Sequence, residues 1–242
     1  MNNIPRPEHP NPQFQRREWI NLNGKWNFKI DKSKSGLAKK YYEPQTKFDR
    51  TINVPFCPES VLSGVEYKDF MDAVWYSREF VIPDKYADLK TILHFGAVDY
   101  KATVYINGKE VGSHKGGYIS FQFDITDYLT DGTNVVTVYA EDDTRSPIQP
   151  RGKQSEEYYS HDCDYTRTTG IWQTVWLEFV PESRIQSIKV FPNVENCSVD
   201  IQAEVIGSGK FEALALYQDR IMGAASVETD GGHISAHLDL KE

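Results

Sequence analysis

Phe95-Gly-Ala-Val-Asp-Tyr-Lys-Ala-Thr-Val-Tyr-Ile-Asn-Gly-Lys-Glu-Val-Gly-Ser-His-Lys-Gly-Gly-Tyr118 is the most informative stretch of this 242-residue chain. Within it Ala102, Val104 and Ile106 alternate with Lys101, Thr103 and Tyr105, the period-two pattern of an antiparallel strand with one face on a core. Asn107-Gly108 follows at once. Both positions tolerate positive φ, so the pair predicts a two-residue hairpin with Lys109 to Gly112 as the return strand. Gly116 and Gly117 beside Tyr118 predict a bend where backbone comes close to a neighbouring strand.

The same alternation extends to both sides. From Val74 to Ile82 one face reads Tyr76, Arg78, Phe80, Ile82; Phe121, Phe123 and Ile125 alternate with polar residues; Asn134 to Glu141 is rich in Val; and Ile171 to Phe179 alternates Ile171, Gln173, Val175, Leu177, Phe179. Helical signals are confined to single turns at Thr126-Asp-Tyr-Leu and Asp84 to Leu89. Short strands without covering helices predict an all-β sandwich or barrel. Between Asp142 and Tyr165 the alternation stops, and Pro147, Pro150 and Gly152 mark a long loop of the kind that carries function. After Pro181-Glu-Ser183 the pattern restarts in a new register as Ile185–Phe191, Val199–Val205, Phe211–Tyr217, Met222–Val227 and His233–Leu240. Five strands fall short of the roughly seven of an immunoglobulin-like sandwich. The expected organisation is a first sandwich over 1–183 and a partial, truncated second one over 184–242.

Composition narrows the partners. An aromatic fraction of 13% supplies a sizeable core, and a formal charge of −8 without any basic run excludes nucleic acid and anionic membrane as main partners. There is no run of about 18 apolar residues and no signal-peptide pattern, so the expectation is a cytoplasmic protein. Cys57, Cys163 and Cys197 form neither a disulfide framework nor a zinc motif. Trp26, Trp75 and Tyr118 read as core fillers in alternating strands. Arg78, among apolar neighbours, needs a carboxylate or carbonyl partner if buried and reads as a member of an internal ion pair. His94 and His114, in or beside strands, read as packed or exposed and not catalytic.

Taken in order, Leu22-Asn-Gly-Lys-Trp-Asn-Phe28, Val54-Pro, Trp75-Tyr-Ser-Arg-Glu-Phe80, the 95–118 stretch, Phe121 with Asp124-Ile-Thr, and Thr169-Gly-Ile-Trp-Gln-Thr-Val-Trp-Leu177 resemble the N-terminal sugar-binding region of family 2 glycoside hydrolases. That group includes β-galactosidases, β-glucuronidases and β-mannosidases. The resemblance runs over essentially the whole chain. It implies a jelly-roll, galactose-binding-like sandwich followed by the partial immunoglobulin-like one. In complete members a downstream barrel carries two glutamates about 5 Å apart for a retaining mechanism. Such a barrel needs about 250 residues, and no Asn-Glu dipeptide, the family's acid/base context, occurs here. The chain by itself is therefore expected to carry no catalytic residue and to be inactive, while its parent hydrolyses O-glycosyl bonds.

The resemblance also implies a sugar contact. In several relatives a loop of this domain presents a carboxylate to substrate hydroxyls, and counting back from Gly170-Ile171 in His161-Asp-Cys-Asp-Tyr-Thr-Arg-Thr-Thr-Gly-Ile places that carboxylate at Asp164. An ionised carboxylate accepts from two adjacent hydroxyls, which suits a pyranose. Asp162 is a lesser candidate. Both also suit the bland role of solvated loop carboxylates or turn formers. A second contact, an asparagine in some β-galactosidases, would fall near Ala73, which cannot supply it, and Asp72 is the substitute. The implied partners are a carbohydrate and the protein's own barrel, with room for a homo-oligomer in the parent. No cofactor and no transition-metal site is expected, although in some β-galactosidases the residue matching Asp164 approaches a sodium ion, and the parent has room for a monovalent or magnesium ion. The competing readings are a free-standing carbohydrate-binding module and a purely structural interaction domain.

Overall fold

The computed structural model describes residues 4–240 and is all-β apart from three single 3-10 turns. In chain order the strands are β1 (Trp19–Asn21), β2 (Gly24–Ile30), β3 (Arg50–Val54), β4 (Ala73–Val81), β5 (Lys90–Phe95), β6 (Val98–Asp99), β7 (Lys101–Ile106), β8 (Lys109–Lys115), β9 (Phe121–Asp124), β10 (Thr133–Glu141), β11 (Gly170–Ile171) and β12 (Val175–Val180). Then follow β13 (Arg184–Asn193), β14 (Ser198–Ile206), β15 (Gly209–Tyr217), β16 (Arg220–Thr229) and β17 (Gly232–Asp239). Two compact units result, the larger holding Arg16–Phe179 and the smaller starting its main segment at Val180.

In the larger unit a six-stranded sheet, β3-β2-β4-β10-β7-β8, faces a four-stranded one, β1-β12-β5-β9. Their inner faces supply one core that includes Trp26, Phe28, Tyr76, Leu93, Phe95, Val104, Val138 and Leu177. The predicted hairpin forms: Asn107 and Gly108 have φ of 52° and 81°, and Ile106 pairs with Lys109. The Asn107 side chain then accepts from Val135 N at 2.9 Å, fixing the turn to β10. In the smaller unit the sheet β13-β14-β17 and the hairpin β15-β16 close over Ala203, Phe211, Ala213, Ala236 and Leu238.

The predicted alternation gives way in two places, each with a physical reason. The first five residues of β4 are all buried, because the outer face of the six-stranded sheet is itself covered. Trp75, Tyr105 and Tyr139 stand on that face, and Tyr41, Tyr42 and Phe48 from the segment after β2 pack over them. The second place is the expected strand from Ile171 to Phe179, which splits into β11 and β12, with Gln173 exposed between them. Arg78 is half-buried, its partners are the carbonyls of Leu22 and Asn23, each at 2.8 Å, and among the described residues it forms no ion pair. Trp26 and Trp75 fill cores, whereas the Tyr118 ring is 52% exposed. His94 is packed, stacked on Trp176 and 3.0 Å from Glu178.

The Gly116-Gly117 bend makes the close approach its composition implies. A Cβ on Gly117 would lie 2.2 Å from Oδ1 of Asp99, a fully buried carboxyl. Gly117→Ala is therefore expected to lose about 2 kcal/mol of stability, the usual scale for overpacking. A chemical denaturation midpoint equal to that of the parent sequence would refute the contact.

Candidate functional site

The residues between β10 and β11 form the longest connection in the larger unit, and buried polar groups hold it down. Thr169 N donates to both carboxylate oxygens of Glu59 at 3.1 and 3.3 Å, and Thr169 Oγ1 donates to Asp142 at 3.3 Å. Gln149 Nε2 donates to the other oxygen of Asp142 at 2.6 Å. Gln154 Nε2 donates to Asp99 at 2.7 Å, and its carbonyl accepts from Thr168 N at 2.7 Å. Glu59, Asp99, Asp142, Gln154 and Thr169 are all at most 5% exposed. Burial pushes the carboxyls of Glu59 and Asp99 up to about 7 and that of Asp142 to about 6, and the nearby Asp142 charge adds to the first two. The same burial, with Glu59 beside it, pushes the Cys57 thiol up to about 12, so it is not a nucleophile.

Above this base the loop folds on itself. Tyr165 N donates to Lys153 O at 2.8 Å and Ser155 N to Tyr165 O at 2.7 Å, a short parallel pairing. Asp164 N donates to His161 O at 2.7 Å and His161 N to Asp164 O at 3.2 Å, which closes a tight turn around Asp162 and Cys163. Asp162 takes φ of 48° at the tip, a conformation that Asp tolerates better than most residues, and its side chain is exposed. Asp164 stands at the base of that turn, half-buried. Its carboxylate meets the Cys163 thiol at 3.9 Å and the His161 ring at 4.0 Å, both long for hydrogen bonds. Asp72 precedes β4, its Oδ1 is 3.5 Å from Arg145, and its backbone carbonyl accepts from Asp142 N at 3.2 Å. Asp162 and Asp164 thus share one turn, and Asp72 belongs to a separate segment joined to the loop through Arg145 and Asp142.

Sequence reasoning missed the residues beneath the loop. Glu59, Asp142 and Gln154 carry no periodic or motif signal, Asp99 lies in the 95–118 stretch with no role read into it, and acidic side chains are ordinarily read as solvated. Their one hint is position: Asp142 directly follows β10, where the loop begins, and Asp99 ends β6, which pairs with β11, where the loop closes. Among the described residues no group of three or more His, Cys, Asp or Glu side chains could hold a metal ion. Among the described residues no helix is long and apolar enough to cross a membrane.

Comparison with known proteins agrees with this architecture. The beta-galactosidase of Thermoanaerobacter pseudethanolicus is 31% identical over 67% of this chain and 22% of its own length. The beta-glucuronidase of Paenibacillus borealis is 28% identical over 74% of this chain and 32% of its own. The chain thus spans about a third or less of these curated relatives. The solved structure of an uncultured Clostridium sp. beta-glucuronidase superposes with a TM-score of 0.73 at 24% identity, covering 94% of this chain and 41% of that one. A Ruminococcus gnavus beta-glucuronidase in complex with D-glucuronic acid superposes at 0.70 with 19% identity. At those identities the likeness speaks to the fold alone. The family model described as "Glycosyl hydrolases family 2, sugar binding domain" matches residues 20–181, a span that takes in both sheets of the larger unit and its long loop, and the chain belongs to that family.

Proposed function

We propose that this chain is the non-catalytic, sugar-facing part of a family 2 glycoside hydrolase of galactosidase or glucuronidase type, acting in carbohydrate metabolism. Residues 1–183 form its sugar-binding sandwich, 184–242 its immunoglobulin-like portion, and a catalytic barrel elsewhere in the parent breaks the glycosidic bond. Asp164 is the substrate-contacting carboxylate. Asp162, at the tip of the same turn, and Asp72, held by Arg145, flank it as weaker contacts.

The observation that carries this reading is the state of Asp164. Among the described residues its carboxylate faces only the thiol and the ring already named, at 3.9 and 4.0 Å. Its lone pairs remain available to hydroxyl donors, while Glu59 and Asp142 are enclosed and committed to protein donors, and Asp99, equally enclosed, is held through one oxygen by Gln154. A half-exposed acceptor on an anchored loop suits a pyranose, because the ordering cost is met before the sugar arrives. The substrate class follows from the family and from the relatives' names, and the loop supplies only the contact.

Asp164→Asn tests it. A hydrogen bond to a charged group is worth about 1.5–3 kcal/mol, so replacing the carboxylate with an amide is expected to weaken binding at least about tenfold. Titrations with D-galactose and with D-glucuronic acid, followed through the backbone amide resonances of His161 to Tyr165, read the change. Equal affinity of the two proteins for every sugar that binds would sink the assignment.

A further inference from the structure

Among the described residues Arg167, three positions after Asp164 in the same loop, is the one buried Arg or Lys, with only 2% of its surface exposed. Its guanidinium donates to carbonyls alone. Nη1 reaches Ser155 O at 3.4 Å and also Glu157 O, while Nη2 reaches Tyr158 O at 3.3 Å and also Lys68 O. Three of the four acceptors belong to the loop, and the fourth lies four residues before Asp72. The guanidinium also stacks 4.3 Å from the ring of Phe70. Arg145 stacks on the same ring at 4.3 Å and pairs with Asp72.

The geometry points to Arg167 as a positioning residue: one planar group ties the segment carrying Asp164 to the segment carrying Asp72, so that both carboxylates are set in one frame. The tie reaches Asp164 through a short chain of contacts. Ser155, whose carbonyl Arg167 holds, donates its N–H to Tyr165 O at 2.7 Å and through Oγ to Tyr159 O at 3.0 Å. Its hydroxyl also lies 3.3 Å from His161 Nδ1, and His161 closes the turn onto Asp164. The loop has no regular ladder to occupy its carbonyls, so a buried fork of donors replaces one. A lysine ammonium has fewer donors and no fixed plane, and cannot serve four acceptors in this arrangement. The inference rests on the reading that Asp164 meets a sugar.

Its test uses the 242-residue chain with Arg167→Lys, Arg167→Met and Asp164→Asn, measuring amide hydrogen exchange and binding of D-galactose and D-glucuronic acid. Both Arg167 variants are expected to speed exchange at Ser155, His161, Asp164 and Tyr165 at least about tenfold, leaving β4 and β10 amides protected, and to weaken sugar binding by a similar factor. Asp164→Asn is expected to weaken binding without altering loop exchange. If Arg167→Met does not fold, Arg167→Lys carries the reading, since it keeps charge and volume and loses only the fork. Unchanged loop protection in Arg167→Lys overturns the tie; loop opening with full sugar affinity overturns its positioning role. Full affinity in Asp164→Asn with an opened loop in the Arg167 variants sinks the sugar reading separately.

Discussion

The urea midpoint of the protein is expected to fall as pH is raised from about 5 to about 8, the reverse of ordinary acid denaturation. Burial raises Glu59 and Asp99 to about 7 and Asp142 to about 6 in the folded chain. Unfolding returns them to the ordinary carboxylate range near 4. Across the interval between, the folded protein holds protons that the unfolded chain has released, so stability decreases with pH. The contribution is intact below the unfolded values and is lost as pH climbs through the folded ones. For Glu59 alone the difference between its usual 4.5 and about 7 amounts to about 3 kcal/mol, at about 1.4 kcal/mol per unit. Arg167 opposes the trend only in part, because its guanidinium is spent on carbonyls and reaches Asp142 and Glu59 through space. Groups of opposite sign bound the other side. Burial raises Asp31 and Glu178 too, but Gly36 N and Trp75 Nε1 on the first, and His94 and Arg16 on the second, more than offset it. These two lose stability as pH drops through their lowered values, which places the optimum on the mildly acidic side. Glu59→Gln keeps a carbonyl for Thr169 N and removes the ionisation, so it should flatten the curve and be more stable than the parent at about pH 8. Midpoints that rise from about pH 5 to 8, or a Glu59→Gln curve parallel to that of the parent, would refute the account.

These acids also mark the limit of what the sequence disclosed. Asn107-Gly108 predicted its hairpin because only a few residues accept positive φ at both central positions, a local constraint that no tertiary contact overrides. The last four strands after Ser183 were legible for a similar reason, since their alternation sets a more buried face against a solvent face, whereas in β13 that alternation fades and Val190 and Phe191 are exposed. Gly117 was legible as a close approach, but the carboxyl it approaches was not. Tyr118 was misread as core because its ring belongs to a surface contact with Tyr165, the two hydroxyls 3.4 Å apart, which periodicity does not encode. For Arg78 both a carboxylate and a carbonyl partner suited a buried guanidinium, and the carbonyls of Leu22 and Asn23 take it where an ion pair was favoured. Asp164 itself was reached only by counting along a family pattern. Its physical distinction, a half-buried carboxylate with only long contacts beside fully enclosed acids, exists only once Glu59, Asp99 and Asp142 have been placed.

Trp75→Ala is expected to cost about 4 kcal/mol, at the upper end for a single side chain and enough to threaten folding of a marginal domain. The residue is fully buried although it points away from the main core. Its ring stacks 4.5 Å from Tyr139 and lies 5.8 Å from Tyr41, and its Nε1 donates to Asp31 at 3.1 Å. Asp31 in turn accepts from Gly36 N at 2.7 Å and Ser35 N at 3.0 Å, so the indole is the peg around which residues 31–48 fold back over the sheet. Truncation removes the packing of a large aromatic and leaves an enclosed carboxylate one donor short, two costs that add. Gly36 reports the tightness of the fit, since a Cβ there would sit 2.4 Å from Nε1. Trp75→Phe separates the two costs: it restores much of the packing and none of the hydrogen bond. Its loss should fall between that of alanine and zero, with Tyr41 and Tyr42 fluorescence still reporting a buried setting. A Trp75→Ala protein as stable as the parent would mean that the 31–48 segment does not depend on this ring. The aromatic cover would then be ornament on a sheet stable without it, and the two-faced burial of β4 would need another cause.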